Sequence, residues 1–103
     1  MERLQQLQQF LEQMPNDSFV KFALAKEYEQ LNDAEKALHY YNDIRTKDPD
    51  YVGTYYHLGK LQEALKDVEG ALKTYKEGIE IAQKIGDKHA WSELAEAKLE
   101  IDD

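Results

Sequence analysis

Residues 31–44, LNDAEKALHYYNDI, and residues 65–79, LKDVEGALKTYKEGI, say nearly the same thing. Leu31 returns as Leu65, Asp33 as Asp67, Glu35 as Glu69, Ala37-Leu38 as Ala71-Leu72 and Tyr41 as Tyr75, each 34 residues on. A constant offset at this many positions marks a repeated supersecondary unit rather than a chance likeness of two helices. Inside each copy the apolar and small residues recur at spacings of three and four, the period of an amphipathic helix. Each copy opens on a turn, Asn32-Asp33 or Lys66-Asp67. The aspartate side chain there can accept a hydrogen bond from an unpaired backbone N–H of the helix that follows.

Working outward from the repeat, the same periodicity predicts six helices. The first covers roughly 2–14, with Leu4, Leu7, Phe10, Leu11 and Met14 on one stripe, and Pro15 stops it. Asp17 or Ser18 caps a second helix to about Leu31, and Asp33 caps a third to about Thr46. Asp48-Pro49-Asp50 ends the third and opens a fourth to about Leu65. Asp67 caps a fifth, which closes at Gly86 in the left-handed conformation, and Asp87 caps a sixth to about Ile101. Connections this short make neighbouring helices antiparallel. Each helix pair has apolar residues on more than one face, so one pair cannot hide its surface alone and a second copy covers the first.

The chain has 103 residues, enough for one domain, with 42% hydrophobic and 33% charged residues. That balance describes a folded, soluble protein. No apolar run is long enough to span a bilayer and the N-terminus lacks a secretory core, so a cytoplasmic location is expected. The absence of cysteine removes disulfides, thiolate metal sites and cysteine nucleophiles. A net charge of −8 repels nucleic acid and anionic membranes, and neither is expected as a partner.

The spacing and residue identities resemble the tetratricopeptide repeat family, whose signature is W-x2-L-G-x2-Y, then A-x3-F, then P. The first copy, 18–51, reads Lys21-x2-Leu24-Ala25-x2-Tyr28, Ala37-x3-Tyr41, Pro49. The second, 52–85, reads Tyr55-x2-Leu58-Gly59-x2-Gln62, Ala71-x3-Tyr75, with Gln83 in place of proline. Trp91-x2-Leu94-Ala95-x2-Lys98 is a third, partial match. The resemblance implies an all-α fold of six helices, an α-α superhelix of right-handed helix hairpins. Its parts are a flanking helix at 1–16, the two repeats, and a capping helix at 86–103. Ala25, Gly59 and Ala95 are expected at close crossings faced by Ala37 and Ala71. Gly78, unfavourable inside a helix by about 1 kcal/mol, implies close approach by the last helix. Trp91, at the family's aromatic position, is expected in the core.

A search for chemistry finds little. His39, His57 and His89 have no metal spacing, and neither Ser18 nor Ser92 sits in a nucleophile elbow. Phosphate-binding glycine loops are absent, and the paired carboxylates Glu27/Glu29 and Glu77/Glu80 read as solvated helix faces. The runs KDPD and IDD lack the ligand spacing of a calcium loop. The expectation is a protein that is not an enzyme, with no cofactor and no metal.

In the family, positions two, five, nine and twelve of each first helix face a concave groove. The resemblance places Phe19, Phe22, Lys26 and Glu29 there in the first copy, and Gly53, Tyr56, Lys60 and Glu63 in the second. The third copy offers His89, Ser92 and Glu96. Phe19, Phe22, Lys26, Tyr56 and Lys60 are therefore the candidate peptide-binding residues, suited to a partner with apolar and acidic side chains. Phe19 and Phe22 could instead pack on Leu7, Phe10, Leu11 or Met14, and the lysines could simply pair with Glu29 and Glu63. The asparagines and third-copy cations of the family's carboxylate clamp are missing, which argues against recognition of chaperone tails. The function expected is a non-catalytic adaptor for a protein or peptide partner. The alternative is a homo-oligomer formed through Leu4, Leu7 and Leu11 at one end or Trp91, Leu94 and Leu99 at the other.

Overall fold

A computed structural model describes residues 2–102. The helices are α1 (Glu2–Gln13), α2 (Ser18–Gln30), α3 (Ala34–Lys47), α4 (Gly53–Ala64), α5 (Val68–Ile85) and α6 (Lys88–Ile101). No strand occurs among the described residues, and the fold is an all-α helical repeat. The chain divides between Asp48 and Pro49 into two compact units, α1–α3 and α4–α6.

Local chemistry fixes the helix ends. Asp17, Asp33, Asp67 and Asp87 each accept a hydrogen bond from the backbone N–H three residues on, at the starts of α2, α3, α5 and α6. At the ends of α2, α4 and α5 the chain turns through the left-handed region, at Asn32 (φ 60°), Lys66 (φ 68°) and Gly86 (φ 76°). There the N–H of the following aspartate reaches the carbonyl five residues back: Asp33 to Tyr28, Asp67 to Gln62 and Asp87 to Ala82, at 2.9 Å in each case. The helix C-terminus and the next N-cap thus share one aspartate, which is why the connections are so short. The fourth helix departs from expectation. It starts at Gly53 behind Val52, with no side-chain cap. Asp48 is engaged by the Ser18 hydroxyl at 2.6 Å and Asp50 by Lys84 at 3.1 Å, so neither acid is at hand for the helix end.

In the first unit α2 packs against both α3 and α1. Leu24, Ala25, Ala37, Tyr41 and Ile44 are fully buried. The α1 contact is lighter: Leu7 is buried, the Gln8 amide donates to the Tyr28 hydroxyl at 2.9 Å, and Arg3 pairs with Glu27 at 3.3 Å. Phe10 and Met14, expected on the packing stripe, are exposed.

In the second unit α5 packs between α4 and α6, and α4 also meets α6. Tyr55, Ala71, Tyr75, Ala82, Leu94 and Ala97 form the core. Gly78 is buried where a Cβ would come within 2.6 Å of the Tyr55 Cβ and 2.9 Å of Leu94 Cδ1, so both α4 and α6 approach there. At Gly59 a Cβ would lie 2.1 Å from the Tyr75 ring. Ala95, expected at a third close crossing, is only half-buried. Trp91 is 43% exposed, which corrects its expected place in the core. It borders a cleft of about 410 Å³ with Ala82, Gln83, Gly86, Asp87, Lys88 and Ser92.

Candidate functional site

The first helices of the two hairpins carry equivalent surface pairs. On α2 the Lys26 ammonium lies 5.8 Å from the centre of the Phe22 ring, and on α4 the Lys60 ammonium lies 5.6 Å from that of Tyr56. Spacing of four residues on a helix places each lysine above its aromatic, within range of cation–π attraction. Phe22 and Tyr56 are half-buried. Phe22 meets the buried Tyr41 edge-on at 6.0 Å, and Tyr56 packs on the edge of the α4–α6 core. Each ring is thus anchored within its own unit and only partly exposed.

Glu29 and Glu63, expected to face a ligand, have another task. The hydroxyl of Tyr41 donates to Glu29 and that of Tyr75 to Glu63, tying the two helices of each hairpin together. Burial, then the carboxylate that accepts the proton, pushes both phenols above the ordinary tyrosine value of 10.0. Lys60 also pairs with Glu63 at 3.6 Å and Glu100 at 4.0 Å, whereas Lys26 makes no ion pair among the described residues. Phe19 is 66% exposed, so it does not pack on α1 as the alternative reading held. Gly53 is exposed at the start of α4. Of the third set, His89, Ser92 and Glu96 are all exposed on α6. Leu7 and Leu94, expected on self-associating ends, are buried, while Leu99 is 76% exposed.

One ion pair escaped the sequence. Lys21, where the family has its aromatic, is buried and its ammonium lies 2.9 Å from Asp43, which also pairs with Lys47 at 3.1 Å. Desolvation raises the Asp43 pKa, but hydrogen bonds from Lys21 and Lys47 and their charges outweigh it and hold the carboxyl below its ordinary 3.8.

Among the described residues no three His, Asp or Glu side chains gather to hold a metal ion, and no helix is long and apolar enough to cross a membrane. A site made of rings, ammonium groups and helix surface offers contact to a partner.

Comparison with known proteins gives consistent results. The tetratricopeptide repeat family model matches residues 29–99. A TPR repeat-containing protein of Pseudomonas aeruginosa is 31% identical over 85% of this chain and 84% of its own length. The crystal structure of a tetratricopeptide repeat domain protein from Salinibacter ruber is 45% identical and superposes with a TM-score of 0.78, covering 84% of this chain and 96% of that one. A solution structure from Bordetella parapertussis is 26% identical with a TM-score of 0.80, covering 95% of this chain and 85% of that one.

Proposed function

This chain belongs to the tetratricopeptide repeat family, and from that premise we propose that it is a non-catalytic adaptor binding a peptide or protein segment on its first-helix faces. The family's fold supports a protein-interaction role in general; the residues that carry it are our assignment. The observation behind the assignment is that both copies keep a half-buried aromatic ring beneath a lysine, Phe22 with Lys26 and Tyr56 with Lys60. Phe19, largely exposed on α2, adds apolar surface. Half-buried aromatics and neighbouring cations suit a segment that presents apolar and acidic side chains.

The test is substitution of Phe22, Lys26, Tyr56 and Lys60 by alanine, in pairs and together, with helicity followed by circular dichroism. The combined variant is expected to keep its helices and lose partner binding. Undiminished binding rejects these faces.

A second reading, self-association, draws on the exposure of Phe10 on α1, of Met14 just after it, and of Trp91 and Leu99 on α6. Light scattering over a range of concentrations decides it, and a monomer throughout removes it.

A further inference from the structure

Resting on the reading just given, we infer that α6 sets the charge preference of the α4 face, so that Lys26 rather than Lys60 reads an acidic group of the partner. The two lysines occupy equivalent positions in the sequence, but their surroundings differ. Lys60 lies between Glu63 at 3.6 Å and Glu100 at 4.0 Å. Beside it, Tyr56 borders a cavity of about 220 Å³ whose other walls are Glu93, Glu96, Ala97 and Glu100, all from α6. An incoming carboxylate would have to break the pairs with Glu63 and Glu100 and sit against two further glutamates of its own sign, Glu93 and Glu96. Coulomb repulsion at such separations is weakened by water but not removed.

The α2 face lacks this arrangement. Lys26 rests over Phe22 with no ion pair among the described residues. Glu27 pairs with Arg3 at 3.3 Å, and Glu29, which accepts from Tyr41 as Glu63 does from Tyr75, makes no ion pair with Lys26 among the described residues. An ammonium group that is bound in no ion pair keeps its charge for a ligand. In the natural protein the α4 face, Tyr56 included, therefore turns away a segment in which acidic groups accompany the apolar ones. Glu93, Glu96 and Glu100 are thus specificity-determining residues, although none belongs to the aromatic–lysine pairs.

The experiment is a 15N-resolved NMR titration of the full chain with a short, end-capped peptide alternating leucine and glutamate. In the natural protein the signals of Phe22 and Lys26 should shift while those of Tyr56 and Lys60 stay still. In a variant carrying Glu93→Gln, Glu96→Gln and Glu100→Gln both sets should shift, and affinity should rise about three- to fivefold. Equal shifts on both faces of the natural protein, or a silent Tyr56 and Lys60 in the variant, overturn the inference while the binding role stands. A peptide that moves neither face in either protein rejects the proposed binding faces and this inference with them. Circular dichroism of the variant confirms that the helices are intact.

Discussion

Lys21 and Tyr55 stand at the same place in the two copies, and each is buried by a different chemistry. Tyr55 donates its hydroxyl to the Pro49 carbonyl at 2.7 Å, while Lys21 buries its stem and brings its ammonium to Asp43. Only 4% of the Lys21 side chain is exposed, so the two partners are not equivalent in a deletion. Asp43→Ala strands a buried ammonium group and should destabilise by about 2–4 kcal/mol, whereas Lys21→Met leaves Asp43 with Lys47 and should change stability by less than about 1 kcal/mol. Denaturant midpoints of the two variants check the asymmetry. The pH dependence follows from the same pair. Because folding lowers the Asp43 pKa, its contribution is present above the unfolded value and is lost as pH falls through the folded one. The stability lost on acidification below about pH 4 should be smaller in Asp43→Asn. Thr54 poses the opposite problem. Its hydroxyl is buried and makes no hydrogen bond among the described residues, and the equivalent residue of the first copy is Val20. Thr54→Val removes an unpaired polar group and should stabilise by about 1 kcal/mol, read as a higher melting temperature.

At the scale of the element, what was legible in the sequence is what is local. A cap aspartate bonds three residues ahead, so Asp33, Asp67 and Asp87 could be placed from their own neighbourhoods. Gly78 was legible as well, because a glycine inside a strongly periodic helix needs a reason, and the reason is the approach of α4 and α6. Substitution to alanine there sets two effects against each other: helix propensity gains about 1 kcal/mol, while a Cβ only 2.6 Å from the Tyr55 Cβ forces two helices apart. The clash is with a rigid neighbour, so Gly78→Ala should destabilise by about 1–3 kcal/mol net. Gly53→Ala, where a Cβ would meet nothing within 4 Å, is the control and should be neutral or slightly stabilising. A thermal melt in which both variants behave alike would count against the close crossing. What escaped was what depends on another element. Lys21 and Asp43 lie on different helices with no periodic signal linking them. Trp91 matched the aromatic position in sequence, but that position is buried only where something packs over it. Tyr55 has α5 at Gly78 and Leu94 of α6 against it, while Trp91 faces the open cleft at the α5–α6 turn.

For the molecule as a whole, the candidate residues were legible as types and positions, and their electrical surroundings were not. The 34-residue offset singles out Lys26 and Lys60 together, yet Glu100 reaches Lys60 only because α6 folds back onto α4. Charge also sets a property that belongs to the full chain. Twenty-one acidic residues against thirteen basic ones leave −8, an excess that repels itself. The exposed pairs Lys84–Asp50, Lys36–Asp33 and Lys98–Asp102 act in the other direction, but each is worth at most about 1 kcal/mol and is screened by the same salt. Raising ionic strength from 0.01 to 0.15 M shortens the screening length from about 30 to about 8 Å, which removes repulsion between distant carboxylates while contact pairs at 3–4 Å lose less. Repulsion is therefore the larger loss, and the melting temperature should rise by a few degrees across that range at neutral pH. A melting temperature that fell with salt would show that the ion pairs outweigh the excess negative charge. Close to the pI of about 4.8 the excess is gone, and the gain from salt should disappear with it.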